Sequence, residues 1–198
     1  ILGVVNSQIS EIVLAENRMG TTAEFEVPTM RQWIPIMKSE GAEIVILLSS
    51  SGVPWDREEE YEKFTEKVNN GEVNENTISL NALEMAYFVE DDDFIVAGGN
   101  SKGYWLPWYD PHSHTYIMQG YGNGTEFSHI KLLVDEDTHL FMGYETLVDG
   151  RASQTLLSDD FEANSTDANW IQAKLDNAIK SYAIDGSTAV KGAIYPKE

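Results

Sequence analysis

The chain has 198 residues, and its 33 Asp and Glu against 13 Lys and Arg give a formal net charge of −20 at pH 7, so its surface repels nucleic acid and anionic lipid. Hydrophobic residues make up 42% of the chain, including five Trp and nine Tyr. That is enough to bury the core of one good-sized domain, and no apolar run approaches the ~20 residues of a membrane-spanning helix. Cys is absent, which removes thiol chemistry and leaves no disulfide evidence for export.

The first part of the chain predicts a strand followed by a helix. Residues 1–5 are expected to form a strand that is buried from its first residue, and residues 6–27 to be irregular. A helix is expected to begin at Pro28 and to end at Gly41, with a kink or a late start caused by Pro35. Its apolar stripe follows the i, i+3, i+4, i+7 spacing of a helix face and consists of Met30, Trp33, Ile34 and Met37.

The next part alternates between strands and helices, which is the pattern of an α/β layered fold. In chain order we expect a buried strand over 44–48, a charged helix over 56–68, a loop over 70–80, a short apolar helix over 83–88 and a second buried strand over 94–97. The apolar face of the charged helix is formed by Tyr61, Phe64 and Val68.

The second half of the chain favours strands, which are expected over 116–121, 128–134 and 140–147. In the middle one, alternate residues are apolar and are expected to share one face of a sheet. These are Ile130, Leu132 and Val134.

The end of the chain predicts a helix from Asn169 that Gly186 ends, and then a strand over 189–195. We expect one domain over 1–185, with 186–198 as the start of a linker or tail. Because the chain does not begin with Met and opens on an apolar strand, it is expected to be a mature fragment or a part of a longer protein.

Two of the expected strands each deliver a loop of Ser and Gly to the carboxyl edge of the predicted sheet. Strand 44–48 runs into Ser49-Ser50-Ser51-Gly52, and strand 94–97 runs into Gly98-Gly99-Asn100-Ser101-Lys102-Gly103. This edge is where open α/β sheets place ligands. The loops offer hydroxyls, an amide and an ammonium, but neither imidazole nor carboxylate, so the sequence leaves open whether the site is active.

The order of these motifs resembles the metal-binding domain of the 5′-nucleotidase family, a branch of the calcineurin-like metallophosphoesterases. In that family the loop that corresponds to residues 49–52 has Ser or Gly first, followed by His-Ser-Gly. The loop that corresponds to residues 98–102 begins with Gly-Gly-His-Ser or Gly-Gly-His-Thr. Residues 116–121 are similar to its Val-Val-Gln-Ala strand, 127–135 to its next strand and 169–176 to its closing helix. The resemblance covers most of 1–185. It implies an α/β fold, a mixed β-sheet sandwich flanked by helices, of which this chain would be the C-terminal portion.

The departures from the family pattern concern its metal ligands. Ser50 and Asn100 stand where the family has ligand histidines, and Lys102 stands where it sometimes has a further ligand. A lysine ammonium would repel a divalent cation. The upstream Asp-x-His and Gly-Asn-His-Glu motifs and the C-terminal nucleotide-binding domain have no counterpart in the chain. Because Ser and Asn replace imidazole poorly as ligands, these departures from the family pattern lead us to expect no catalytic residue, no metal ligand and no cofactor.

An aromatic segment follows the second loop and offers a different kind of site. Its side chains either form a stacking platform for a base or a sugar or pack in a core or a subunit interface, and we favour core or interface. They are Tyr104, Trp105, Trp108 and Tyr109.

Two of the four histidines are candidate metal ligands. His112 and His114 are two residues apart and would share one face of a strand, although a surface hairpin is the favoured interpretation. His129 and His139 are expected to be structural.

Three other short motifs favour ordinary roles. The acidic run 90–93 has the oxygen ligands that Ca²⁺ prefers, but a solvated loop is favoured. A nucleophile within 49–51 is disfavoured because no Gly-x-Ser-x-Gly elbow and no base accompany it. Asn123 and Asn164 begin Asn-x-Thr sequons, which permit glycosylation in a secreted eukaryotic protein.

The leading hypothesis is a catalytically degenerate 5′-nucleotidase-like protein, extracellular or periplasmic, that serves in binding or assembly. Its partner would be another protein or the remainder of its own chain. The first alternative is an active 5′-nucleotidase or phosphoesterase that uses Zn or Mn, with its remaining ligands outside this chain. The second is a structural subunit of an extracellular assembly that uses residues 104–109 as its contact.

Overall fold

A computed structural model of the chain describes residues 1–90, 93–122, 125–147, 149–156, 169, 170, 172–174, 176, 177 and 180. The chain divides into two compact units, Ile1–Leu157 and Ser158–Glu198. In the second unit the described residues are helical, in agreement with the helix expected from Asn169. Several predictions lie outside the described residues and stay predictions: the sequons, the helix end at Gly186, the strand over 189–195 and the boundary at 185.

Four α-helices and one 3₁₀ helix lie among the described residues of the first unit. They are α1 (Ile9–Ile12), the 3₁₀ helix (Ala15–Arg18), α2 (Glu26–Ser39), α3 (Arg57–Asn69) and α4 (Ala82–Phe88). The strands of the same part of the chain are β1 (Leu2–Val4), β2 (Ile46–Ser49), β3 (Phe94–Ala97), β4 (Trp108–Tyr109), β5 (Tyr116–Met118), β6 (Glu126–His129), β7 (Leu132–Val134), β8 (Phe141–Tyr144) and β9 (Ser153–Leu156).

The main sheet has the strand order β1-β2-β3-β5-β4 in the described part of the chain. Strands β1, β2, β3 and β5 run parallel, and β4 pairs antiparallel with β5 at one edge. Two separate antiparallel pairs are formed by β6 with β9 and by β7 with β8. The mixed α/β sheet with flanking helices that the sequence predicted is therefore confirmed.

The main core lies between one face of this sheet and helices α2, α3 and α4. Successive side chains of a strand point to opposite faces, and those that point to the helices are almost fully buried. The strands contribute Leu47, Ile95 and Ile117, and the helices contribute Val27, Met30, Ile34, Phe64, Leu83 and Met85. The apolar faces expected for α2, apart from Trp33, and for α3 therefore pack in this core.

A smaller core lies on the opposite face of the sheet. Phe94 and Met118 are buried there together with Ala152. Partly buried side chains of the β7–β8 pair and the residues before it pack against them, namely Ile130, Leu132, Phe141 and Tyr144. The antiparallel pairs therefore cover one part of this face.

Helix α2 begins two residues earlier than expected and continues through Pro35 to Ser39. Pro28 lies in its first turn, where the missing N–H has no helical acceptor to lose. At Pro35 a helical hydrogen bond is lost, and burial of the neighbouring Ile34 offsets that loss. Trp33 was expected in the apolar stripe but is 45% exposed, so that part of the prediction is wrong.

Three further expectations about the strands and loops are wrong. Ile1 is 78% exposed rather than buried. Residues 6–27 contain α1 and the 3₁₀ helix. The strand expected over 128–134 is two strands, β6 and β7, with different partners. Within β7 the register shifts between Leu133 and Val134, and Val134 is exposed, so it does not share a buried face with Leu132.

Helix α4 begins with a capping box. The side chain of Asn81 accepts hydrogen bonds from the backbone N–H groups of Leu83 (2.9 Å) and Glu84 (3.1 Å). The carboxylate of Glu84 accepts in turn from the N–H of Asn81 at 2.9 Å. The box satisfies N–H groups that have no partner within the helix, and it fixes the start of an element that packs on β3.

Glu84 makes stability depend on pH. Burial raises the pKa of its carboxyl, although the bond from the Asn81 N–H lowers it. A folded-state pKa above the unfolded value gives stability that is present below the unfolded pKa and lost as pH rises through the folded pKa. We therefore expect Glu84→Gln, which keeps an acceptor for Asn81, to be at least as stable as the native protein at pH 7. Its advantage should disappear by pH 4, as measured by urea unfolding. A clear loss of stability at pH 7 would contradict this expectation.

Candidate functional site

The carboxyl ends of β1, β2, β3 and β5 lie at one edge of the sheet because these strands are parallel. The residues that follow the strands include Asn6, Ser50, Asn100 and Gln119. The sequence therefore placed the two loops correctly at a common edge. It did not identify Asn6 or Gln119 as part of the same site.

Ser50 connects the loop after β2 to the loop after β1. Its backbone N–H donates to the carbonyl of Val4 at 3.0 Å. Its hydroxyl oxygen accepts from the backbone N–H of Asn6 at 2.7 Å. A neighbouring hydroxyl, that of Ser49, accepts from the N–H of Ser51 at 3.0 Å. The serines of this loop thus hold backbone in place.

Asn100 and Gln119 hold the backbone of the same loop from the other side. The Asn100 amide donates to the carbonyl of Val53 at 2.7 Å, and the Gln119 side-chain oxygen accepts from the Val53 N–H at 2.8 Å. The Gln119 amide also donates to the carbonyl of Lys102. Gln119 is 1% exposed, so it joins three loops from within the protein. Its signal in the sequence was the Gln of the strand that resembles Val-Val-Gln-Ala.

The two Gly-containing loops pack directly against each other. Gly99 has φ +92°, and a Cβ at this position would lie 2.2 Å from the carbonyl oxygen of Ser50. A Cβ at Gly52 would lie 2.7 Å from the amide nitrogen of Asn100. The N–H of Gly98 donates to the carbonyl of Ser49 at 2.8 Å. The glycines are therefore explained by the close approach of backbone at this edge.

Lys102 turns its charge toward the loop that carries Trp55. Its ammonium donates to the carbonyl of Trp55 and lies 5.3 Å from the centre of the Trp55 ring and 4.9 Å from that of Tyr104. Both distances are in the range of cation–π attraction. The Tyr104 hydroxyl donates to the carbonyl of Pro54 and lies 3.1 Å from that of Trp55.

The aromatic segment 104–109 is divided between core and surface. Trp108 is half-buried and packs against the main core, whereas Trp105 and Tyr109 are each 45% exposed. The guanidinium of Arg57 lies over the rings of Tyr104 (4.5 Å) and Trp108 (5.6 Å). The prediction of core use thus fits Trp108, and the outward rings remain available for contact.

The surface hairpin favoured for His112 and His114 is confirmed, because residues 111–113 form a turn between the antiparallel strands β4 and β5. The alternative, two imidazoles on one strand face, is wrong. The carboxylate of Asp110 accepts from the N–H groups of His112 (2.9 Å) and Ser113 (2.8 Å) and fixes this turn. His112 stacks on the ring of Tyr87 at 4.3 Å. The Nδ1 atom of His114 lies 2.6 Å from the hydroxyl of Tyr109. The two imidazoles therefore contact different side chains.

Asp110 is fully buried, and its second oxygen accepts from the hydroxyl of Tyr61 at 2.7 Å. Burial of Tyr61, followed by this bond to Asp110, raises the pKa of the phenol. Helix α3 is thereby tied to the turn after β4. This pair is structural in character, because the hydroxyl and the carboxylate satisfy each other.

Asp93 of the acidic run and His139 also have local partners. Asp93 accepts from the N–H of Val45 at 2.7 Å, while Asp91 and Asp92 of the acidic run lie outside the described residues. The Nδ1 atom of His139 is 2.8 Å from the carboxylate of Glu43. Within the part of the chain that the structure describes, no group of three or more His, Asp or Glu side chains is arranged to hold a metal ion.

The side chains at the two loops do not fit the metal that the resemblance implies. Ser50 and Asn100 are neutral and are engaged with backbone, and Lys102 carries a positive charge. Transition metals and zinc prefer imidazole, thiolate or carboxylate.

No helix in the described residues is long and apolar enough to cross a membrane.

Comparison with known proteins extends these observations. No protein-family model matches the sequence, and no curated protein sequence matches it. Among solved structures, a calcineurin-like phosphoesterase from Bacillus subtilis is 17% identical with a TM-score of 0.61, over 90% of this chain and 51% of that chain. A protein from Staphylococcus aureus described as a candidate 5′-nucleotidase, crystallised with α-ketoglutarate, is 16% identical with a TM-score of 0.52, over 88% of this chain and 31% of that chain.

The chain thus spans about half of the first matched protein and about a third of the second. At these identities the likeness concerns the fold. The parallel strands, the helices on one face and the antiparallel pairs that follow agree with the resemblance found in the sequence. The chain has the fold of the calcineurin-like phosphoesterases and 5′-nucleotidases, as a partial domain of that type.

Proposed function

We propose that this protein is a catalytically degenerate member of the phosphoesterase fold, retained for binding or assembly. The proposal rests on the residues found at two loop positions and on their hydrogen bonds. Ser50 and Asn100 stand where the resembling family has ligand histidines, and both side chains are used in hydrogen bonds to backbone. The site is built to hold its own loops together.

The chemistry of two-metal hydrolysis supports the same view. That reaction needs two ions about 3.5–4 Å apart to stabilise the attacking and leaving oxygens. At these loops a neutral hydroxyl and a neutral amide replace imidazole, and the Lys102 ammonium lies on the same loop as Asn100. Each change weakens cation binding, so loss of two or three ligands should abolish the reaction.

A hydrolysis assay tests the proposal. We expect no metal-dependent release of phosphate from AMP or p-nitrophenyl phosphate when the protein is incubated with Zn or Mn. A commercial phosphatase serves as the positive control, and circular dichroism verifies that the protein is folded. Hydrolysis that a chelator removes and added metal restores would overturn the proposal.

An active enzyme is the second candidate, and the coverage of the matched structures favours it. About half of the Bacillus phosphoesterase has no counterpart in this chain, so ligands for Zn or Mn could be supplied from outside it. Elemental analysis of the protein purified from its source distinguishes the two candidates. Stoichiometric Zn or Mn would support the enzyme, and its absence together with inactivity would support degeneracy.

A third candidate is a structural role in an extracellular assembly, and the exposed part of the aromatic segment supports it. Trp105 and Leu106 are about half exposed, and the guanidinium of Arg151 lies 4.7 Å from the Trp105 ring. Trp and Arg are enriched where proteins contact each other. Export to the periplasm or exterior is part of the same proposal. The acidic surface supports it, and cell fractionation would test it.

A further inference from the structure

A cavity of about 390 Å³ lies between the end of β1, the first turn of α2 and the segment 21–24 that precedes α2. Val4, Val5 and Ile9 contribute apolar walls, three threonines contribute hydroxyls, and Glu24 and Glu26 contribute carboxylates. No Lys, Arg or His is among the described residues that line it. Apolar walls with a few polar groups, in a volume of about 300–1,000 Å³, are typical of a small-molecule site.

Glu26 is the buried charge in the wall of this cavity, with only 1% of its surface exposed. Its Oε1 atom accepts from the backbone N–H of Ser7 at 2.8 Å and from the hydroxyl of Ser79 at 3.0 Å. Its Oε2 atom accepts from the hydroxyl of Ser7 at 3.1 Å. Glu26 is also the first residue of α2, where the helix dipole favours a negative charge. These contacts fit an ionised carboxylate, which only accepts hydrogen bonds.

The charge of Glu26 has no cationic partner, since none of the ion pairs among the described residues includes it. Buried charges are normally paired with an opposite charge or bound to a metal ion. Asp110 provides the contrast, because its buried carboxylate accepts four hydrogen bonds. Glu26 accepts three, and its Oε2 atom only one of them, so a further donor can be added there.

We propose that this cavity binds a small organic cation, an ammonium group carried on an apolar body. The positive charge would neutralise Glu26, and the exposed Glu24 adds a second negative charge. The apolar body would pack against Val4 and Ile9. A metal ion fits less well, because Ca²⁺ takes about six to eight oxygen ligands and no group of three His, Asp or Glu side chains is found among the described residues.

This inference goes beyond the proposed function and does not depend on it. Neither Ser50 nor Asn100 is among the described residues that line the cavity. A protein that hydrolyses AMP would therefore defeat the proposed function and leave the cation site untouched.

NMR titration of the isotope-labelled 198-residue protein at pH 7 tests the site with three probes. Benzylamine is protonated at this pH, benzyl alcohol has the same ring without the charge, and methylamine has the charge with almost no apolar body. Benzylamine should give saturable shifts at the amides of Ile9, Thr22 and Ala23. It should bind about tenfold or more tightly than either control, because a hydrogen bond between charged groups is stronger than a neutral one.

Two results of this titration would overturn the proposal. One is equal affinity for benzylamine and benzyl alcohol, which would mean that Glu26 does not attract the charge. The other is a set of shifts spread over the acidic residues of α3, because a chain with a net charge of −20 attracts cations without a specific site.

Glu26→Gln removes the charge and keeps an acceptor for the Ser7 N–H. It should weaken benzylamine binding about tenfold or more and leave benzyl alcohol binding nearly unchanged; unchanged benzylamine affinity in the folded variant would contradict the proposal. Ala23→Phe decides the matter if Glu26→Gln does not fold. Ala23 is partly buried in the cavity wall, and the added ring should fill the cavity and abolish the benzylamine shifts while the spectrum stays dispersed. Benzylamine binding that survives this change would place the ligand elsewhere.

Discussion

Gly99→Ala is expected to destabilise the protein by about 3 kcal/mol or more, or to prevent folding. The added methyl group would lie 2.2 Å from the carbonyl oxygen of Ser50, and the backbone at Gly99 has φ +92°. The loops would have to separate, which would weaken the bond from the Gly98 N–H to Ser49. Urea unfolding followed by circular dichroism measures the change.

Gly41→Ala provides the matched control for backbone strain. Gly41 has φ +98°, but a Cβ there would have no atom within 4 Å. Gly41→Ala should therefore lower the free energy of unfolding only by what Ala loses in adopting a positive φ, about 1–2 kcal/mol. If both variants lose the same free energy of unfolding, the contact between the two loops contributes nothing, and the close approach of Gly99 to Ser50 is not important for stability.

The central strands and the helix faces were predictable because their signals are local. The strand over 94–97 is a continuous apolar run and agrees with β3. Helix α3 is bounded by Asp56 and Asn70, close to the expected limits. In each case the residues that determine the element lie within it, so that neighbouring residues are sufficient to predict it.

Other parts of the fold depend on contacts between distant residues. Trp33 lies in the helical stripe, yet packing of Met30 and Ile34 on the sheet leaves it half exposed. The turn over 111–113 is fixed by the carboxylate of Asp110, which also accepts a hydrogen bond from the hydroxyl of Tyr61 on α3. A local pattern of alternating apolar and polar residues cannot reveal this hydrogen bond, because Tyr61 and Asp110 are 49 positions apart in the sequence.

The location of the candidate site was predictable, but its internal bonding was not. Ser and Gly after buried strands indicated the carboxyl edge of the sheet, and Ser50 and Asn100 are found there. Which backbone group each side chain binds depends on how four loops meet in space. Gln119 illustrates this, since its bonds reach residues 66 and 17 positions away.

Gln119→Met is expected to destabilise the protein by about 2–4 kcal/mol. Methionine fills a similar volume, but it cannot replace the bonds to the Val53 N–H and the Lys102 carbonyl. Val53 is buried, so its N–H would be left without a partner away from water. Gln32→Met is the control, because Gln32 is exposed on α2 and both residues favour helix; its effect should stay within about 0.5 kcal/mol.

Gln119→Glu separates hydrogen bonding from packing, since it changes one atom of the side chain. At pH 7 a carboxylate can still accept from Val53, but it repels the Lys102 carbonyl to which the amide donates. A protonated carboxyl can both accept and donate. Relative to the native protein at the same pH, the variant should therefore be much less stable at pH 7 than at pH 4. A deficit that does not depend on pH would mean that Gln119 acts through its shape, and that the three loops are held together by other contacts.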